Sequence, residues 1–468
     1  MNQRDKREII SPPGRARSKI IAFVLAIASF SLTVVLPSYA EEKINIKVDY
    51  VAKLNELAKA GRPEELNAVP FYKKAFELAV RQPKKLKKLD YKAWPDDLTA
   101  EQREALQTWV RQSSKALTQL KKGTQKPHYW PEYRGTSMVG IVLPELWKAK
   151  ALAIAFCSRA KLNAAKGNFK QAFSDLLVCY RFGTHFTGPK TLIEQLVGIA
   201  IRALAIDAGF QILDKQNPAS DLLKNFQQKL SLRQESPIDF TAEKFSAYDI
   251  IQRIFTDDGT GGGHIPELSI EQKENRPDSV MKVLLSVLTE EQIRVLTKLD
   301  RRETTDLTNK VYEYFDKAAC KSPWQLHSEG EDVQKIVAKM TKENILLHMF
   351  TPAVGRVVEL SYREKIGTKA LITTISILRY KADKGLLPEN LKQLVSTGYM
   401  KKLPMDPYSD KPLIYKQTKD NFTLYSFGAD FDDDSGVPSR WGEGEKGGDQ
   451  VFWPVQPPEK QKDKPNDK

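Results

Sequence analysis

The sequence Asp430-Phe431-Asp432-Asp433-Asp434-Ser435-Gly436 closes a segment, residues 380–454, whose turn and strand signals set it apart from the helical remainder of the chain. Turn residues, a proline-fixed corner and aromatic residues precede this acidic loop, in the order Gly385, Pro388, Leu403-Pro404-Met405-Asp406-Pro407-Tyr408, Tyr415 and Tyr425-Ser426-Phe427-Gly428. Proline and glycine interrupt helices and favour turns. The order predicts a helix, a turn, a short second helix, a corner, two short strands and an oxygen-rich loop.

The acidic loop has the chemistry of a calcium site. Hard cations take six to eight oxygen ligands, often from carboxylates at alternate loop positions. The predicted ligands have that spacing, with one later residue to complete the shell: Asp430, Asp432, Asp434 and Asp449. The loop is not an EF-hand, because Gly436 is at the seventh position and Trp441 at the twelfth. The alternative is a solvated acidic turn whose carboxylates repel one another.

The motif order from Tyr380 to Asp449 resembles the globular part of the type II secretion major pseudopilin family, the protein G-like proteins. The resemblance covers about 100 of 468 residues. It rests on residues that occur in the family's order, namely Leu403, Pro404, Asp406, Pro407, Tyr425, Ser426 and Gly428, with Gly447-Gly448-Asp449 after the loop. It implies a long helix, a small antiparallel sheet and a calcium-binding loop, and it strengthens the calcium prediction.

The chain also departs from that family. A pseudopilin has its assembly helix directly at the N-terminus, whereas about 300 residues of helical sequence intervene here, and no prepilin cleavage motif precedes Ile20. We therefore do not expect a filament subunit. As a whole, the chain resembles large exported bacterial proteins with a pseudopilin-like tail, and this second resemblance implies no reaction.

The rest of the chain is predicted to be helical. The apolar stripe from Leu146 to Ala164, the break at Gly167-Asn168 and the answering stripe to Tyr180 resemble one tetratricopeptide-type unit, which does not recur at 34 residues. The fold prediction is mainly α, with a large multi-helix N-terminal region, partly tetratricopeptide-like, before a small α+β pseudopilin-like C-terminal domain. The predicted units are a helical domain (41–250), a second helical segment (265–350), a long helix with the α+β domain (352–456) and a disordered tail (457–468).

The first 40 residues have the pattern of an export signal. A basic n-region precedes the apolar run Ile20 to Leu36, and Pro37 and Ser38-Tyr39-Ala40 follow it. We expect cleavage after Ala40 and a periplasmic or extracellular protein. The alternative is an uncleaved anchor in the inner membrane through residues 20–36, since 17 apolar residues are just long enough to span a bilayer.

The net charge and the expected location limit the kinds of partner that the protein can have. The formal net charge is +14 at pH 7. An exported protein rarely meets nucleic acid, so we interpret the excess as solubility or attraction to anionic envelope polymers. We expect protein partners in the envelope and no nucleic acid.

Cysteine and local cap signals add smaller predictions. Cys157 and Cys179 are expected as buried thiols, with one disulfide as the alternative. Thr99 and Gln102 predict a capping box, and His185 is expected at a helix end. The aromatic loop around Trp130 is expected to pack between helices, with a ligand-stacking surface as the alternative.

No catalytic motif is present in the sequence. The five histidines have no metal-ligand spacing, and Gly-x-Ser-x-Gly and Cys-x-x-Cys do not occur. The leading hypothesis is a non-catalytic envelope protein with a helical protein-binding body and a calcium-stabilised C-terminal domain. Two alternatives stay open: a secreted hydrolase acting on polymers through a carboxylate pair in a cleft near Trp130, and a helical adaptor with a vestigial tail.

Overall fold

The computed structural model describes residues 47–87, 93–232, 236–266, 288–351, 354–439 and 447–456. Within them the chain is mainly helical, as the sequence predicts, and carries one small sheet near its C-terminus. The sheet has three strands, one more than the two short strands predicted, because the chain forms a further strand after the acidic loop. The predicted export signal at 1–40 and the tail at 457–468 lie outside the described residues.

The described helices and strands follow one another along the chain in the following order. The helices are α1 (Tyr50–Lys59), α2 (Val69–Glu77), α3 (Lys84–Lys87), α4 (Ala100–Gln112), α5 (Ser114–Gly123), α6 (Leu146–Ala165), α7 (Phe169–Thr184), α8 (Leu192–Lys215), α9 (Ser220–Ser231), α10 (Thr241–Ile254), α11 (Glu290–Leu296), α12 (Arg301–Cys320), α13 (Pro323–Ser328), α14 (Val333–Met340), α15 (Ile345–Phe350), α16 (Val354–Lys384) and α17 (Leu391–Ser396). The strands are β1 (Ile414–Gln417), β2 (Phe422–Ser426) and β3 (Gln450–Trp453).

Helices α6, α7 and α8 form the centre of the helical body. A Cβ atom at Gly183 of α7 would lie 2.7 Å from the carbonyl oxygen of Gly198 in α8, so the two helices meet backbone to backbone. Thr191 and Glu194 form a capping box that starts α8. Among the described helices, α8 is long and apolar enough to cross a membrane, but 72% of its most apolar window is buried inside the protein.

The long helix α16 joins the C-terminal sheet to this body. It packs against α8 and α9, and Arg202 of α8 makes a buried ion pair with Glu364 of α16 at 2.8 Å. The sheet is antiparallel in the order β1-β2-β3. Phe452 of β3 stacks on Phe210 of α8, with ring centroids 6.2 Å apart. One continuous hydrophobic cluster therefore includes residues of the body and of the sheet.

A second hydrophobic cluster lies beside the first. Residues of α8, α10, α12, α14 and the start of α16 contribute to it, and Leu326 of α13 belongs to it. The same short helix also contacts the C-terminal region, because the backbone N–H of Trp324 donates to the carbonyl oxygen of Pro407 at 2.9 Å. Helix α13 is thus placed between the second cluster and the proline corner.

Several local predictions are confirmed. Thr99 and Gln102 form the expected capping box at the start of α4. His185 directly follows α7, and its Nδ1 lies 2.6 Å from the hydroxyl oxygen of Tyr72. Trp130 is buried, as expected for a packing loop. The described structure has Cys157 and Cys179 as free buried thiols, with their sulfur atoms 3.7 Å apart.

Candidate metal centre

Asp406 fixes the corner from which the acidic loop begins. Its carboxylate accepts hydrogen bonds from the Ser426 hydroxyl at 2.7 Å and from the backbone N–H groups of Tyr408 at 3.0 Å and Phe427 at 3.1 Å. The Ser409 hydroxyl donates to it at 3.2 Å. Burial raises the pKa of Asp406, and these donors act in the opposite direction. The proline corner and the end of β2 are therefore held together by one buried carboxyl group.

The acidic loop is built from tight turns directly after β2. A short 3₁₀ helix covers Gly428–Asp430, and Phe431 and Ser435 then adopt positive φ angles of 66° and 61°. Asp433 organises the turn: its Oδ1 accepts from the Ser435 N–H and from the Tyr425 hydroxyl, each at 2.9 Å. These local bonds give the loop a defined backbone before any ion is considered.

Two of the predicted ligands meet at a single donor. The backbone N–H of Gly448 donates to Oδ2 of Asp430 and to Oδ2 of Asp434, both at 2.9 Å. One hydrogen is shared between two carboxylate oxygens, so both groups keep spare acceptor capacity. The loop thus concentrates negative charge beside the residues that directly precede β3.

Asp449 is the most unusual of the predicted ligands. It is only 1% exposed, and its Oδ2 accepts from the Gly436 N–H at 2.6 Å. Its Oδ1 is buried and has no hydrogen-bond partner among the described residues. Burial raises the pKa of Asp449 to about 6, with a further contribution from the charges of Asp433 and Asp434, against backbone hydrogen bonds that lower it. Because an unpaired buried carboxylate oxygen is costly, either a proton or a cation is favoured there.

The structure brings two of the four predicted ligands to one donor, and the backbone of a third, Asp449, directly follows it. Asp430 and Asp434 share the N–H of Gly448, which directly precedes Asp449. Asp432 differs: it is exposed, and its Oδ1 accepts from the next N–H, that of Asp433, at 2.9 Å. Within the described ranges, no group of three His, Cys, Asp or Glu side chains is already arranged to hold a metal ion. An ion would therefore draw these carboxylates closer together.

Asp433 was not among the predicted ligands, although it contributes to the site. Its bond to Tyr425 anchors the loop on β2, and its charge raises the pKa of Asp449. Alternate spacing predicted its neighbours on either side. In the sequence, Asp433 lies eight residues after Tyr425, a tyrosine of β2. That spacing indicates a contact only once the position of the loop relative to the strand is known.

A second acidic pair lies near Trp130, where the hydrolase alternative placed a cleft. Oε2 of Glu194 accepts from the Tyr133 hydroxyl at 2.9 Å, and Oε1 of Glu243 accepts from the Leu192 N–H. Burial raises the pKa of both groups, that of Glu243 to about 8. Both carboxyl groups cap the start of α8. Glu194 is 1% exposed, so it is closed to a polymeric substrate.

No protein-family model, curated protein or solved structure matches this chain. The pseudopilin resemblance therefore stays a prediction that rests on the order of the motifs.

Proposed function

We propose that this chain is an exported, non-catalytic cell-envelope protein with a helical protein-binding body and a calcium-stabilised, pseudopilin-like C-terminal domain. The observation that carries the calcium proposal is the buried Oδ1 of Asp449, which has no hydrogen-bond partner among the described residues and follows the N–H shared by two further carboxylates. Asp430, Asp434 and Asp449 are the residues that would hold the ion, with Asp432 at the exposed edge of the loop.

The donor set suits calcium better than a transition metal. All the side chains concerned are carboxylates, which are hard oxygen ligands, and no histidine or cysteine lies in the loop sequence. Calcium accepts irregular geometry with backbone carbonyls and waters in its shell. Its charge would relieve the repulsion among the loop carboxylates and satisfy the unpaired oxygen of Asp449.

The ion would stabilise the link between the sheet and the body. The loop spans from β2 to β3, and Ser426 of β2 pairs with Gln450 of β3 directly after Asp449. Two residues later along β3, Phe452 stacks on Phe210 of α8. Fixing Asp449 therefore fixes the start of the strand that attaches the C-terminal sheet to the helical body.

The remaining parts of the proposal rest on the sequence and on the helical surface. The signal pattern of residues 1–40 supports export to the periplasm or beyond, with an inner-membrane anchor as the alternative. The hairpin of α6 and α7 supports the tetratricopeptide-like prediction. Trp147 on α6 and Val142 just before it are 58% and 50% exposed, and we place the protein-binding surface of the body at these side chains. Partners in a secretion machine are one such class.

Calcium titration of the full chain tests the proposal. We expect a saturable heat in isothermal titration calorimetry and a higher melting temperature, since binding at about a hundred times the dissociation constant stabilises a fold by about 2.7 kcal/mol. Asp434→Asn and Asp449→Asn should weaken both effects strongly, and Asp432→Asn should have a smaller effect. Asp420→Asn, a carboxylate in the exposed turn between β1 and β2, is the matched control.

The absence of binding at millimolar calcium would overturn the calcium proposal and leave the loop as a solvated acidic turn. It would then favour the helical adaptor with a vestigial tail. The hydrolase alternative would have to use Glu243, whose pKa burial raises to about 8, because Glu194 is closed to a polymer. Hydrolysis of an envelope polymer that is lost in Glu243→Gln would favour it.

A further inference from the structure

One aromatic side chain of the acidic loop, that of Phe431, contacts helix α13. Phe431 lies between Asp430 and Asp432, and its ring stacks on the imidazole of His327 with centroids 4.1 Å apart and planes 16° apart. The rings of Trp324 and Tyr408 lie further out, each with its centroid 6.2 Å from that of Phe431. The loop that carries the candidate calcium ligands therefore also carries the contact with α13.

Helix α13 is attached on its other side to the second hydrophobic cluster. Leu326 is buried in that cluster. Lys321, directly before the helix, forms ion pairs with Glu331 at 2.7 Å and with Glu329, and the Tyr314 hydroxyl of α12 donates to Glu331 at 3.3 Å. Residues 321–331 thus form a small unit that connects α12 to the acidic loop.

Phe431 is constrained from two directions at once. Its φ of 66° is a left-handed conformation that a bulky residue rarely adopts. The carboxylate of its neighbour Asp430 is bonded to the Gly448 N–H, while its own ring is docked on His327. A change that loosens either constraint lets the backbone at Phe431 relax, and the other contact weakens with it.

We propose that ion occupancy of the acidic loop and docking of residues 321–331 are coupled, so that calcium controls how this helical unit packs on the C-terminal region. The inference rests on the proposed calcium site and adds a regulatory role to it. Because coupling between two sites is reciprocal, a change in α13 that weakens the docking must also weaken calcium binding.

The test uses the full chain, with His327→Ala as the perturbation and Ser328→Ala, an exposed neighbour on the same short helix, as the matched control. His327 is itself exposed, so its removal leaves the hydrophobic clusters in place. We expect His327→Ala to raise the calcium dissociation constant at least about fivefold, the low end of coupling between sites, and Ser328→Ala to leave it unchanged.

Hydrogen exchange gives the reciprocal measurement. Calcium should slow the exchange of the 321–331 backbone in the wild type by about the same factor, and should not do so in His327→Ala. Calcium binding with unchanged exchange and an unchanged dissociation constant in His327→Ala would overturn the coupling and leave the calcium site standing. A wild-type chain that binds no calcium would overturn both.

Discussion

Acidification should weaken calcium binding through Asp449. The pKa of this carboxyl is raised to about 6, first by burial and then by the neighbouring charges of Asp433 and Asp434. A proton therefore occupies the group in the ion-free protein below that pH, and calcium has to displace it. Above pH 7 the carboxyl is ionised, so proton competition disappears and the affinity becomes independent of pH.

The size of the effect follows from the pKa. One competing proton raises the apparent dissociation constant about twofold at pH 6 and about tenfold at pH 5, relative to pH 7.5. Calorimetry in two buffers of different ionisation enthalpy should also detect about half a proton released per calcium bound at pH 6.

Asp449→Asn separates this explanation from a general effect of acid. The amide cannot be protonated in this range, so the residual affinity of the variant should not change between pH 7.5 and pH 5. Asp420→Asn should keep the wild-type pH dependence. A wild-type dissociation constant that stays constant over this range, or a variant with the same tenfold change, would refute the assignment of the competing proton to Asp449.

Three further predictions concern stability, each measured by urea denaturation of the full chain. Burial raises the pKa of Glu243 to about 8 from its ordinary value of 4.5, so its proton contributes stability that is present below pH 4.5 and is lost as the pH rises to 8. Glu243→Gln should remove this dependence and be more stable than the wild type at pH 8 by roughly 4 kcal/mol. Arg202→Met leaves Glu364 buried without its cation and should cost about 3–5 kcal/mol, most of which Glu364→Met restores in the double variant. Gly183→Ala should lower the free energy of unfolding by about 1–3 kcal/mol, because its Cβ would press on a backbone carbonyl. Gly355→Ala is the control: no atom lies closer than 3.9 Å to its Cβ, so it should be neutral or stabilising by up to about 1 kcal/mol.

Sequence reasoning succeeded where the physical cause is local. The capping box of Thr99 and Gln102 spans three residues, and the long helix before Gly385 has a periodic apolar pattern and a glycine stop. The small sheet after the proline corner was also predictable, since the turn residues and the alternating aromatic residues are close together in the chain.

Contacts between distant segments could not be predicted in the same way. Glu243 reaches the start of α8 from 51 residues away, and His327 stacks on a residue of the acidic loop more than a hundred positions later. Asp449 accepts its hydrogen bond from Gly436, thirteen residues earlier in the chain. No spacing rule encodes these contacts, because they depend on how separate helices pack.

The shared core bears on whether the C-terminal segment is dispensable. Phe210 of α8 and Phe452 of β3 belong to the same hydrophobic cluster, as do Tyr380 at the end of α16 and Tyr408 at the proline corner. Removing the sheet would expose part of α8 to water, at a cost that grows with the apolar area uncovered. A vestigial spacer has no need of such packing, because its loss should leave the body unchanged. The packing therefore favours a C-terminal segment on which the helical body depends, and in that setting an ion that orders the acidic loop would also stabilise the body.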